Sequence, residues 1–344
     1  MAAINKFIEN FGWPRIIIGV FLLLLFIIAP IFGVRVDTSI SDVIGRFGMS
    51  SIMVLSMVPM IQSGCGLNFG IPVGLIAGMM GAVVSLEFNL VGAPGIIVAF
   101  LIGITFAAIF GFLYGVLLNR VKGDEMIIAT YVGFSFVFLM NIMWLILPFK
   151  NPASVQGFKG EGLRTTISIE NYWSHQLSDF LQIEVSKYLI IPTGMILFFL
   201  FMALLVWAFF KTKTGTAMTA VGSNPDYARA SGISINKMRI ISVMLSTMIA
   251  AVGMIVYQQS FGFVQMFNAP LAFVFPSVAA ILLGGASVNK ASITNVIIGT
   301  ILFQGILTMT PSVINSAINI DVSETLRVIV SNGMIVYALT RKVR

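Results

Sequence analysis

Apolar runs of about 20 residues recur along this whole chain, each long enough to cross a hydrocarbon core of ~30 Å. Backbone inside lipid must satisfy its polar groups within its own segment, so such runs fold as helices. Ten are expected, at about residues 15–34, 43–62, 66–87, 95–118, 125–148, 188–210, 239–258, 271–287, 292–311 and 323–340. Only 10% of the 344 residues are charged, where soluble domains carry about 25%. The expected fold is all-α, a single polytopic transmembrane domain over residues 1–344. The first run, Ile16 to Ile31, follows Lys6 and Arg15 with no small-x-small cleavage site after it. It reads as a retained span and not a signal peptide.

The third run opens with GCGLNFGIPVG, Gly64 to Gly74. So many glycines and a proline predict a broken or partly unwound helix, tolerable at membrane depth only where protein or a water-filled path covers the freed backbone groups. Spans two to five and seven to ten hold four helices each, entered from opposite sides. That topology is the one an inverted repeat has, although the two halves show no clear self-similarity in sequence.

Lysine and arginine give the orientation. With the N-terminus inside, thirteen of the 20 fall on the cytoplasmic side, among them Lys211, Lys213, Arg229, Arg239, Lys290 and Arg341. Both termini are therefore expected in the cytoplasm. The net charge of +7 is topology information, since no soluble basic stripe exists to hold nucleic acid. An outer segment is expected at 149–187, with a short amphipathic helix near 173–182, and a cytoplasmic loop at 211–239.

Catalytic signals are weak. One cysteine, Cys65, and one histidine, His175, exclude an internal disulfide and a Cys/His metal cluster. Cys65 reads as a small packing residue and His175 as a solvated surface group. GGASVNKAS, Gly284 to Ser292, lacks the glycine before its lysine that a phosphate loop needs, and reads as a tight turn. Glu87 is expected hydrated at the outer end of span three. Mid-membrane polar groups are neutral: Asn68, Asn141, Gln304 and Tyr131. They suit a solute path for an uncharged polar molecule, and taken singly each more readily reads as an interhelical hydrogen bond. Gly74-x-x-x-Gly78 and Gly111-x-x-x-Gly115 predict close helix packing.

The loop contains VGSNPDYARASGI, Val221 to Ile233. Asn224 suits an N-cap, Pro225 the first helical position, Asp226 the positive end of the dipole, and Gly232 a left-handed terminus. A two-turn helix over Pro225 to Ser231 is expected outside the bilayer. Helices this short are marginal alone and persist when docked.

With its flanks, KTKTGTAMTAVGSNPDYARASGI (Lys211 to Ile233) resembles the cytoplasmic loop of permease subunits of bacterial ABC importers of the ribose/galactose and nucleoside type. That type carries G-x-N-P-x-x-A-[RK]-x-x-G-[IV], met here by Gly222, Asn224, Pro225, Ala228, Arg229, Gly232 and Ile233. SVAAILLGGASV (Ser277 to Val288) and GLNFGIPVG are similar to two further segments of the family. The chain departs from the sugar permeases in lacking an acid before AAILLGG and glycines after it. NFGIPVG and GDEMIIAT lean towards the nucleoside branch.

The resemblance implies a type II importer-like permease in the inner membrane of a bacterium, catalysing nothing itself and binding no cofactor or metal. Its short helix, with Asp226 in its first turn, would couple to a cytoplasmic subunit that carries ATP and Mg. A second permease, identical or related, and an extracytoplasmic solute-binding protein would complete the system. The solute would be small, neutral and polar, a nucleoside or a simple sugar such as ribose or galactose. The rival class is a secondary carrier or channel with no ATPase; a membrane enzyme would need clustered carboxylates or histidines, which are lacking.

Overall fold

The computed structural model describes residues 13–121, 123–151, 166–318 and 321–340. The start around Lys6, the segment with Pro152, Gly157, Gly160 and Gly162, and the basic tail from Arg341 lie outside the described residues. The order is α1 (Trp13–Ile28), a 3-10 turn (Ala29–Phe32), α2 (Val36–Leu55), α3 (Met57–Gln62), α4 (Pro72–Glu87), α5 (Gly92–Arg120) and α6 (Glu125–Ile146). Then come β1 (Thr166–Ser168), β2 (Ile183–Ser186), β3 (Leu189–Ile191), α7 (Thr193–Lys211), α8 (Lys213–Ser223), α9 (Pro225–Ala230) and α10 (Ile235–Phe261). The chain closes with β4 (Phe263–Gln265), a 3-10 turn (Ala269–Phe273), α11 (Val274–Leu283), α12 (Ile293–Ile318) and α13 (Ser323–Thr340).

Among the described residues, seven helices are long and apolar enough to cross a membrane, not ten: six are α1, α5, α6, α7, α10 and α12, and the seventh is α2 continued by α3. In the three other expected places stand α4, α11 and α13. The first two are short, at 16 and 10 residues. The third carries Glu324 and Arg327 near its start. Ser56 separates α2 from α3 because Pro59 offers no N–H to Leu55 and its ring crowds that carbonyl.

Both short helices are interrupted ones. Gly64 and Gly66 take positive φ (74° and 79°) and hold residues 63–71 out of helical geometry until Pro72 starts α4. The 3-10 turn with Pro270 precedes α11 in the same way. Each is the second member of its four-helix group, and the irregular segment before α4 meets α11: Phe69 and Phe275 rings lie 6.0 Å apart. Paired broken helices are what inverted-repeat transporters place around a solute path.

The core is built on α10, which packs most extensively against α5 and α4. Both small-residue pairs serve this one helix. A Cβ on Gly74 would stand 2.5 Å from Thr247 O, one on Gly111 2.9 Å from Met244 Cα, and one on Gly115 3.1 Å from Ile240 Cα. Gly78 meets Ala251 O closer still.

The fold is not wholly helical. β1 pairs antiparallel with β4 (Ile167 opposite Val264), and β2 with β3 (Ile183 opposite Ile191). The amphipathic helix expected near 173–182 is a run of turns. There His175 N donates to Gln259 O and Leu177 N to Gln259 Oε1, so tertiary bonds to the end of α10 replace the local ladder. Glu87 is not left to water either: its Oε2 accepts from the backbone N–H of Lys150 and Asn151.

Candidate functional site

Polar chemistry concentrates at the two ends of α2–α3, whose 27 residues span about 40 Å. At the end near β2 and β3 a cavity of about 560 Å³ opens between α2, α10, α11 and α12. Asp42, Arg46 and Ser50 follow one another at i, i+4 and i+8 along the α2 face that lines it, with Asp179 at the ribbon end. Tyr257, Phe261 and Phe273 also line the cavity. Tyr257 stacks on Phe261 (centroids 5.5 Å) and meets Phe273 edge-on (4.7 Å). Gln304 Nε2 donates to Ser50 Oγ at 3.0 Å, joining α12 to α2. The neutral lining expected from the sequence thus gains charges. The helix begins at Val36, seven residues before the expected 43, so Asp42 and Arg46 stand turns inside it.

Beyond that bond the polar groups continue through the core. Ser51 Oγ and Thr300 Oγ1 are buried with no partner among the described residues. Ser246 Oγ donates to Ser56 O (2.6 Å) and accepts from Asn68 Nδ2 (2.8 Å), while Tyr114 OH donates to Asn68 Oδ1 (3.1 Å). Ser63 and Ser242 hydroxyls lie 2.7 Å apart. Cys65 is buried beside them.

At the far end a second cavity, about 740 Å³, is lined by Ser63, Gly64, Glu125, Gly222, Pro225, Arg229 and Arg239 among others. Arg239 on α10 donates to Glu125 Oε1 at 2.7 Å. Above it sits the short helix α9. Asn224 Oδ1 accepts from Tyr227 N (3.0 Å), Pro225 takes the first position, and Asp226 and Arg229 lie 3.4 Å apart in water. Gly232 has φ 78°, and Ile233 N closes the end on Ala228 O at 2.9 Å. The helix stops at Ala230, one residue before the expected Ser231.

Only Ala228 of α9 is buried, in a cluster with Met218, Val221 and Met238. The others are exposed, Tyr227 at 67%. Gly222 has no room for a side chain, since its backbone lies against Gln62 O and Gly64 N. The end of α8, two residues before α9 begins, therefore touches the point where α3 gives way to the irregular segment.

Of the four path residues read from sequence, Gln304 lines the first cavity. Asn68 is fully buried in the hydrogen bonds just described. Tyr131 is 66% exposed on α6, and Asn141 pairs its amide with that of Asn268 (2.9 Å). Tyr227, Tyr257, Asp42 and the Arg239–Glu125 pair were not singled out. The four-residue spacing of Asp42, Arg46 and Ser50 was a usable signal for one face.

A family model described as branched-chain amino acid transport system / permease component matches residues 39–339. The chain is 27% identical over 222 residues to the nucleoside ABC transporter permease protein NupB of Lactococcus lactis, covering 63% of this chain and 57% of that protein. It is 26% identical over 309 residues to the autoinducer 2 import system permease protein LsrC of Escherichia coli O157:H7, covering 90% and 81%. Against the LsrC protein of an Enterobacter strain it is 31% identical over 123 residues, 36% of this chain and 35% of that protein. The chain thus spans little more than half of the NupB protein and about a third of this last relative. No solved structure matches.

Proposed function

Because this chain belongs to the permease-component family of branched-chain amino acid transport systems, we propose that it is the membrane-spanning subunit of an ATP-driven importer. The observation that carries this is α9, a capped helix of which only Ala228 is buried while the side chains of Asp226, Tyr227 and Arg229 stand exposed. Aromatic and arginine side chains so presented are what a partner groove recognises. The partner is a cytoplasmic subunit that binds ATP and Mg. A second permease, identical or related, and an extracytoplasmic solute-binding protein complete the assembly. Both termini and α9 face the cytoplasm, as the lysine and arginine tally requires.

The cargo is a small neutral polar solute, a nucleoside or a simple sugar. It enters the cavity beside Gln304 from outside. ATP-driven closure of the partner pushes α9, the contact of Gly222 with Gly64 passes that motion to the irregular segment, and the hydrogen-bonded seam opens inward. This chain contributes no hydrolysis.

The test is co-expression with an ATPase and a solute-binding protein encoded beside it, followed by purification through a tag on this chain. A stable complex whose ATPase rises on adding solute-loaded binding protein supports the reading. Solute uptake by the chain alone, with no ATPase bound, would make it a secondary carrier or channel instead.

A further inference from the structure

The cavity between α2 and α10 offers two unlike walls. On α2 stand a carboxylate, Asp42, and a guanidinium, Arg46, four residues apart and on one face. Neither forms an ion pair within 4.0 Å among the described residues, where the pairs are Arg229–Asp226 and Arg239–Glu125. Both line the cavity, so their charges are available to a solute there. Gln304 adds an amide whose nitrogen is committed to Ser50 and whose oxygen has no protein partner among the described residues. Also lining it is an aromatic cluster: Tyr257, stacked with Phe261 and T-shaped against Phe273.

A solute of one charge gains at one of these side chains and loses at another, because Asp42 and Asp179 oppose an anion and Arg46 a cation. A neutral molecule with vicinal hydroxyls satisfies both: two hydroxyls donate to a carboxylate while a ring or hydroxyl oxygen accepts from the guanidinium. A free sugar uses that wall and leaves the aromatic cluster to weak contact. A flat heteroaromatic ring joined to a sugar uses both, and the volume of about 560 Å³ lies in the ~300–1,000 Å³ range of small-molecule sites.

We propose that this cavity is a nucleoside-selective subsite in which Asp42, Arg46 and Gln304 bind the hydroxylated half and Tyr257 stacks on the base. It deepens, and rests on, the importer reading above. Stacking on one aromatic ring is worth roughly ten-fold in affinity, so the aromatic cluster sets the preference for a nucleoside over the free pentose.

Gly45 supplies the reporter. It lines the cavity, and a Cβ there meets nothing within 4 Å. In a Cys65→Ser background, Gly45→Cys is alkylated by a water-soluble thiol reagent in the purified full-length protein. Adenosine and uridine should slow labelling at concentrations roughly ten-fold lower than ribose, and lysine or glutamate should not protect. Tyr257→Leu should abolish the difference between adenosine and ribose, whereas Tyr257→Phe, which keeps the ring, should retain it. Asp42→Asn with Arg46→Gln should weaken protection by both.

Equal protection by adenosine and ribose, or a preference that survives Tyr257→Leu, overturns the assignment. If the assembled complex shows ATP-dependent uptake while no nucleoside protects Gly45→Cys, the subsite is refuted and the importer stands. If protection is seen but no ATPase drives uptake, the subsite stands and the importer reading falls.

Discussion

Arg239 on α10 and Glu125 at the start of α6 are joined at 2.7 Å, each with 16% of its side chain exposed, and the same guanidinium reaches Gly64 O at 3.4 Å. One ion pair thus ties two spans to the irregular segment directly beneath α9. A pair this sheltered lies between the exposed limit of about 0–1 kcal/mol and the buried one, where removing a single partner costs about 3–5. Glu125→Gln or Arg239→Gln should each lower the thermal unfolding midpoint in detergent. The double variant should lose less than the sum of the two, giving a coupling energy of about 1 kcal/mol or more. Additive losses would show that the pair does not hold the segment.

The seat of α10 between two glycine pairs gives a second expectation. Gly78→Val forces a branched side chain into Ala251 O and must push α4 from α10. Overpacking of this kind costs about 1–3 kcal/mol or more. Gly45→Val, placed where nothing lies within 4 Å, is the control and should leave the midpoint near the wild-type value. Thermal unfolding of both variants decides; equal midpoints would contradict the close approach.

Asn68 binds Ser246 and Tyr114 at full burial. Asn68→Leu strands the Tyr114 hydroxyl, at about 1–3 kcal/mol for a buried group left unsatisfied, while Ser246 keeps its bond to Ser56 O. The variant should lose stability, and Asn68→Leu with Tyr114→Phe should recover part of it. An unaltered midpoint, with transport alone impaired, would instead make Asn68 a solute contact.

Much of this fold was legible in the apolar runs, because lipid leaves a backbone little choice but helix. The capped helix at Pro225 was equally legible, since capping and dipole chemistry are local. What escaped is set by long-range contact. The start of α2 reads as an outer loop because Asp37 and Asp42 are charged, yet a cavity lets Asp42 stand inside a span. Turns replace a helix at 173–182 because Gln259, some 80 residues on, takes the backbone's hydrogen bonds. Asn68 is visible as a polar residue in grease, but whether it faces a path or Ser246 depends on how α10 docks.

Orientation can be read directly. In the Cys65→Ser background, single cysteines at Ser168 on β1 and Ser223 before α9, both exposed, should label from opposite sides of the membrane. Ser223 should react only from the cytoplasm. Labelling of both from one face would contradict the arrangement.

The central claim is that α9 transmits ATP hydrolysis to this chain, and the most direct measurement is solute uptake by the reconstituted complex with and without ATP on the α9 side. Asn224→Ala with Asp226→Lys removes the cap and reverses the first-turn charge, each worth about 1 kcal/mol of local helix stability. Tyr227→Ala removes the most exposed aromatic of the helix. Wild type should take up solute only with ATP. Both variants should insert into the membrane normally, bind the ATPase at least ten-fold more weakly and show no ATP-dependent uptake. Wild-type rates in these variants, or uptake indifferent to ATP, would contradict the account.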